Sequence, residues 1–250
     1  MNQYQQLFDH AGLHLGFIDT EIQALGRAVL DTQTTDTTLV LDMGARTTTV
    51  GIFESGLLQL SVLASIGGEA IIKKIMDDRL IDEREARLLF DSQGFLAQST
   101  LITLLEEEFS VLVKEIQKAI TYYEKTSRKT ISRIVLAGGM SLAPGIVEYL
   151  ARKTGRETRK GNPLLHIRDK ALFNIPENIL YANVVGLASR TFGSEQTQIN
   201  LLPKETGDMV TAQKKRSFKE LIQFMLTVKG LIFGTLTLVL CFVFLKIFFA

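Results

Sequence analysis

Between Ser99 and Glu124, the residues Leu101, Leu105, Phe109, Leu112, Ile116 and Ile120 recur at intervals of four, four, three, four and four. That spacing draws one apolar stripe down a long helix packed against a sheet. The sheet itself is read from residues 39–64, LVLDMGARTTTVGIFESGLLQLSVLA, three short apolar or alternating runs broken at Gly44–Arg46 and at Glu54–Gly56. β-Branched Thr47, Thr49 and Val50 favour extended backbone, and Glu54-Ser55-Gly56 supplies a tight connection, so the segment predicts an antiparallel meander. Before it, Asp19 is expected to cap a short helix on which Ile22, Leu25, Ala28 and Val29 recur at helical spacing. After it, Gly67-Gly68 precedes two helical patterns over about 69–79 and 82–91, with Asp82 and Glu85 forming the acidic start of the second. Residues 131–136 read as a strand ending at Ala137-Gly138-Gly139, and Pro144-Gly145 introduces a helix over 146–153. Mostly loops and short pieces are expected over 155–179, and a short helix over 180–190. Strands in a meander, helices, another strand and a helix make a mixed α/β layer fold.

The C-terminal part has a different texture. Residues 191–220 are a polar, charged linker interrupted by the apolar pentad Ile199-Asn200-Leu201-Leu202-Pro203, which fits either a small strand against the domain or an adhesive docking peptide. Residues 221–250 form a juxtamembrane segment and an apolar run, with no charged residue from Gly230 to Leu245. At 1.5 Å per residue, 230–249 extends about 30 Å, enough to cross a bilayer if Lys246 snorkels. A buried core helix fits less well, because the run is terminal and has no polar face. Lys214, Lys215, Arg216, Lys219 and Lys229 precede the run and only Lys246 lies at its far end. The positive-inside rule therefore places the N-terminal domain in the cytoplasm and the chain in the inner membrane as a single-pass protein. The N-terminus lacks the pattern of a signal peptide. A formal net charge of +1 argues against an extended nucleic-acid surface, so no nucleic acid is expected. The one cysteine, Cys241, lies in the apolar run and excludes an intrachain disulfide framework. His10, His14 and His166 are too scattered in sequence to suggest a site.

Three glycine breaks carry the candidate chemistry. Asp42-Met43-Gly44-Ala45 stands where a strand meets a turn, followed by Thr47 and Thr48; glycine lets backbone amides approach phosphate oxygens, and Asp42 suits a magnesium ion or its waters. Gly138-Gly139 follows a second apolar strand, where absent side chains would let a nucleoside lie against the backbone. Gly67-Gly68 is the third break. Glu21, at the start of the first helix, is placed to orient an attacking water in phosphoryl transfer. Each feature has a plain structural reading as well: a turn explains the glycines, and an acid in the first helical turn answers the helix dipole.

In this order, the stretches LDMGARTTTVGIFESG, SVLASIGGEAI and ISRIVLAGGMSLAPGIVEYLARKTG resemble the second lobe of the actin, sugar-kinase and Hsp70 ATPase superfamily, and more closely the PilM family of type IV pilus assembly. AGLHLGFIDTEIQALGRA at 11–28, GNPL at 161–164 and YANVVGLASR at 181–190 match as well, so the resemblance covers most of 11–190. It implies a partial actin-like, ribonuclease H-like α/β domain over 1–190. On it, Asp42 would sit at the metal, Gly44, Ala45, Thr47, Gly67 and Gly68 near phosphate, Gly138 and Gly139 near the nucleoside, and Glu21 beside the catalytic water, with ATP and Mg as cofactors. The pentad, basic segment and apolar helix resemble the N-terminus of PilN, the partner that docks onto PilM. The expected function is that of a membrane-anchored cytoplasmic assembly or scaffold component, with other type IV pilus inner-membrane proteins, the bilayer and a second copy held through Ile199–Pro203 as partners. An ATP-binding enzyme is the alternative. A complete actin-like fold would carry a further lobe before Ala11, and its absence is expected to leave one wall of the nucleotide cleft missing.

Overall fold

The computed structural model describes residues 2–31, 35–167, 176–190 and 200–202. The linker outside 200–202 and the expected span at 230–249 lie outside the described residues. Among those described, no helix is long and apolar enough to cross a membrane. The chain forms two compact units, one over Asp19–Gln198 and one joining Met1–Ile18 to Ile199–Ala250.

In the larger unit the predicted meander is present as β1 (Thr37–Met43), β2 (Thr48–Glu54) and β3 (Leu57–Ala64), antiparallel in sequence. The β2–β3 connection is the two residues Ser55 and Gly56, both at positive φ, as a right-twisting hairpin requires. β4 (Arg133–Ala137) lies parallel to β1 on its other side, followed by β5 (Glu157–Lys160), so the sheet order is β3-β2-β1-β4-β5. β5 is one of the short pieces in the stretch expected to be mostly loop, and its strand character was not foreseen.

Alternation along β1 sorts the core into two layers. Leu39, Leu41 and Met43 pack with α3 (Gly68–Arg79), α4 (Glu83–Gln93), α5 (Ile102–Ser127) and α6 (Ile146–Thr154). Val40 packs on the opposite face with Ile22, Leu25 and Val29 of α2 (Glu21–Val29) and with Ala182, the first residue of α7 (Ala182–Ser189). Covered on both faces, β1 reads as an almost unbroken apolar run, and Asp42, two residues from Val40, faces the α2/α7 layer. The predicted stripe on α5 is fully inside: Leu101, Leu105, Phe109, Leu112, Ile116 and Ile120 are all buried. Asp82 caps α4, its carboxylate accepting the Glu85 N–H at 2.9 Å.

Asp19 does not cap α2. The N-cap is Thr20, without a side-chain cap bond, and the buried Asp19 carboxylate instead accepts from Arg27 and, at 2.9 Å, from Arg190. Both guanidinium groups take Oδ2 in charge-assisted bonds while Oδ1 accepts the Thr20 N–H at 2.8 Å, which leaves neither oxygen to the amides further into the first turn. These pairs fasten α2 to the end of α7.

In the smaller unit, α1 (Asn2–His10) is a helix that the sequence pattern did not announce. Leu201 donates its N–H to the Ile18 carbonyl at 2.9 Å, and the Ile18 N–H is accepted by Asn200 Oδ1 at 3.1 Å.

Candidate functional site

Parallel pairing of β1 with β4 sets Asp42 opposite Ala137, so the Asp42–Thr47 turn and Gly138-Gly139 emerge side by side at one end of the sheet. Gly138 has φ 77, and a Cβ there would lie 2.5 Å from the Met43 carbonyl oxygen and 2.8 Å from Asp42 Oδ1. Only glycine lets the two connections approach so closely. The third break joins them. Gly68 and Glu69 donate their N–H groups to the carbonyls of Gly44 and Ala45 at 3.1 and 2.7 Å, seating the N-terminus of α3 on the turn. A Cβ on Gly67 would meet the Ala45 carbonyl oxygen at 2.5 Å.

Three segments distant in sequence therefore converge. Gly44, Ala45, Gly68 and Gly139 line one depression of about 270 Å³, with Glu69 and Ile72 of α3, Arg87 and Asp91 of α4, and Met140. Thr47 is not among the lining residues; its carbonyl accepts the Gly44 N–H at 3.0 Å and closes the turn. The Gly44 amide is thereby engaged within the protein, so this glycine shapes the turn through its own backbone. Glu21 opens α2 and is exposed, apart from the depression but close enough for its charge to act on Asp42.

Asp42 is the strained group. Burial pushes its carboxyl above the usual range, the Asn183 hydrogen bond pulls it down, and the charge of Glu21 raises it again. Asn183, near the start of α7, donates Nδ2 to Asp42 Oδ2 at 3.4 Å, while its own Oδ1 is buried without a partner. The Asp42 carboxylate is a hard-oxygen donor of the kind magnesium takes, with waters and phosphate completing its shell, and the Asn183 amide meets it through nitrogen. Among the described residues no three His, Cys, Asp or Glu side chains cluster as a metal site. Asn183, Glu69, Arg87 and Asp91 escaped the sequence reading. For Asn183 the signal was a polar residue inside the apolar stretch YANVVGLA; for Arg87 and Asp91 it was spacing by four on one helix.

At the other site, Asn200 Oδ1 accepts the N–H of Ile18 and of Leu202, each at 3.1 Å. Leu202 is 7% exposed and Leu201 40%. Ile199 and Pro203 lie outside the described residues.

Residues 1–192 match the family model described as type IV pilus assembly protein PilM. Among solved structures, a PilM-PilN type IV pilus biogenesis complex aligns with TM-score 0.59 and 18% identity over 74% of this chain and 55% of that one. The ethanolamine utilization protein EutJ from Carboxydothermus hydrogenoformans gives TM-score 0.52 and 20% identity over 72% and 57%. MreB5 of Spiroplasma citri bound to ADP gives 0.58 and 15% over 76% and 65%; its AMPPNP-bound form gives 0.58 and 14% over 76% and 64%. At these identities the likeness establishes the actin-like α/β fold, and the chain spans between about half and two thirds of each structure's length. No curated protein matches.

Proposed function

The chain belongs to the type IV pilus assembly protein PilM family, and from that premise we propose that it is an assembly scaffold at the cytoplasmic face of the inner membrane, anchored through residues 230–249. The observation that carries the reading is the seat of the pentad. Asn200 and Leu201 form a two-bond bridge to the Ile18 backbone, and Leu202 is buried. Asn200 sets the register, since a shift by one residue would take the Ile18 N–H from its oxygen, while the Leu202 N–H, two residues on in the same segment, holds the side chain in place. Main-chain pairing of this kind provides affinity while an apolar anchor provides specificity. In the structure of a PilM-PilN complex a relative is joined to a partner chain; in this chain a PilN-like segment is part of the same polypeptide and pairs in cis.

A docking role needs only a surface, whereas phosphoryl transfer needs the phosphates and the water held from every side. Nucleotide binding remains the second reading, favoured by the convergence of Gly44, Gly68 and Gly139 on one depression at the end of the sheet from which Asp42 leads into the turn and by MreB5 structures that hold ADP and AMPPNP. In it, Asp42 would hold the cation, Asn183 would orient the Asp42 carboxylate through its amide nitrogen, and the glycine turns would border the nucleotide.

The cis contact makes a specific prediction. A fluorescent peptide of residues 195–207 should bind the intact chain weakly, because the seat is taken. It should bind at least tenfold more tightly to the chain carrying Asn200→Ala and Leu202→Ala, since losing a buried leucine side chain and two hydrogen bonds exceeds the roughly 1.4 kcal/mol that tenfold represents. Anisotropy titration reads both, with circular dichroism checking the fold. Failure of the peptide to bind the folded double variant refutes the docking reading, and saturable magnesium-ATP binding in its place would favour the second.

A further inference from the structure

Having buried one face against the sheet, α5 turns Lys114, Gln117, Lys118, Thr121, Tyr122 and Lys125 outward around a shallow surface depression of about 500 Å³. Charge along this helix is sorted by position. Glu106, Glu107 and Glu108 lie in its first third, and the three lysines run from its midpoint at Lys114 to Lys125 near its end, eleven residues on or about 17 Å of axis. Glu106 is engaged by Lys153 at 3.1 Å and Glu124 by Arg156 at 2.9 Å. Glu115 answers Lys118 at 2.7 Å, while Lys114 and Lys125 have no ion-pair partner among the described residues. The face therefore keeps a surplus of positive charge, and between its lysines Tyr122 stands 62% exposed.

The combination is selective. Long lysine stems can lie along apolar surface with their ammonium groups among phosphates, and a tyrosine ring suits the level of lipid headgroups, apolar at its body and polar at its tip. The face is broad and open, without the walls that would grip an extended peptide. For nucleic acid it offers one aromatic ring, where single strands take several stacking platforms along a continuous groove. We propose that the C-terminal half of α5, through Lys114, Lys118, Tyr122 and Lys125, docks on the surface of a bilayer containing anionic phospholipid. The contact is independent of the nucleotide depression and of residues 230–249, and would fix how the domain lies against a membrane.

The chain contains no tryptophan, so Tyr122→Trp places a single reporter on the face. The full chain carrying it is incorporated into vesicles of phosphatidylcholine alone or mixed with phosphatidylglycerol, with brominated lipid as quencher. Because both vesicle types receive the whole chain, the comparison reads the surroundings of residue 122 whatever the C-terminal run does. With phosphatidylglycerol, emission should move to the blue and quenching should rise at least about threefold, given the attraction of each lysine to an anionic surface. High salt should reverse both changes, and Lys114→Gln with Lys118→Gln and Lys125→Gln should remove them. Equal emission in the two vesicle types, or no effect of the lysine changes, overturns the proposal. So does a blue shift without lipid that grows with protein concentration, which would assign the face to a second copy of the chain.

Discussion

Gly186→Ala tests the joint that holds the candidate catalytic groups in place. Gly186 is the residue where α7 crosses α2, and a Cβ built there would lie 1.8 Å from the Ala24 carbonyl oxygen and 2.4 Å from its carbonyl carbon. Ordinary van der Waals contact begins near 3.4 Å, so the two helices would have to part by about 1.6 Å. The obstruction is helix backbone on both sides, and no rotamer change relieves it. Overpacking of this kind costs about 1–3 kcal/mol, and parting the helices also stretches the 3.1 Å bond from Arg27 Nε to the Gly186 carbonyl, worth about 1 kcal/mol. A total loss near 3 kcal/mol is a large fraction of a typical domain's stability. Gly26→Ala makes an informative companion: its Cβ would meet Phe53 Cε1 at 2.4 Å, an aromatic side chain rather than backbone, so the smaller loss is expected there. Urea denaturation followed by circular dichroism measures both. A Gly186→Ala loss below about 0.5 kcal/mol, the range of an uneventful surface substitution, would show that α2 and α7 are not locked at this crossing and would refute the reasoning.

Two further substitutions probe buried polar groups. Because burial raises the Asp42 carboxyl above 3.8, its ionisation works against the fold: its contribution is most favourable below that value and is lost as pH rises through the raised one. Asp42→Asn should therefore melt higher than the native chain at neutral pH, with the gain vanishing below pH 3.8; an equal or lower melting temperature at neutral pH contradicts this sign. Tyr149 is 1% exposed, its hydroxyl has no hydrogen-bond partner among the described residues, and burial together with the charge of Glu106 pushes it up to about 12. Tyr149→Phe should be neutral or stabilising by up to about 1 kcal/mol in urea denaturation, whereas a loss above that range would reveal a bond to this hydroxyl.

What the sequence disclosed, and what it hid, follows from how local each cause is. The α5 stripe and the β1–β3 meander were legible because burial imposes a period on the chain itself, and the Asp82 cap because donor and acceptor are three residues apart. β5 was hidden: its residues are Glu157, Thr158, Arg159 and Lys160, paired on one side only, and an edge strand keeps the polar composition of a loop. Asp19 was misread for the opposite reason, since a good local cap is also a good carboxylate for Arg27 and for Arg190, 171 residues away. At the candidate site the glycines could be picked out singly, and their convergence only through the parallel register of β1 with β4. Asn183 became visible once alternation along β1 had turned Asp42 toward α7.

The two candidate sites differ in what they lack. In open α/β sheets, ligands bind beyond the carboxyl ends of the parallel strands, and two polar groups gather there: a half-buried carboxylate with one long hydrogen bond, and an amide oxygen with no partner among the described residues. Buried polar atoms are nearly always paired in folded proteins, and Asn183 Oδ1 is an atom that a further hydrogen-bond donor or a cation would satisfy. At the described residues of the pentad, 200–202, the polar groups that meet Ile18 are paired. Asn200 Oδ1 receives two N–H groups, the Ile18 carbonyl receives a third from Leu201, and Leu202 is already out of water. A ligand at the first site would add contacts that the chain does not make for itself. A peptide at the second can bind only by displacing a segment of the same chain, so its affinity is set by the difference between two similar seats. Occupancy at the pentad should therefore depend on the free concentration of the competing peptide, whereas occupancy at the Asp42 end should depend on how much of the ligand's surface the chain can enclose.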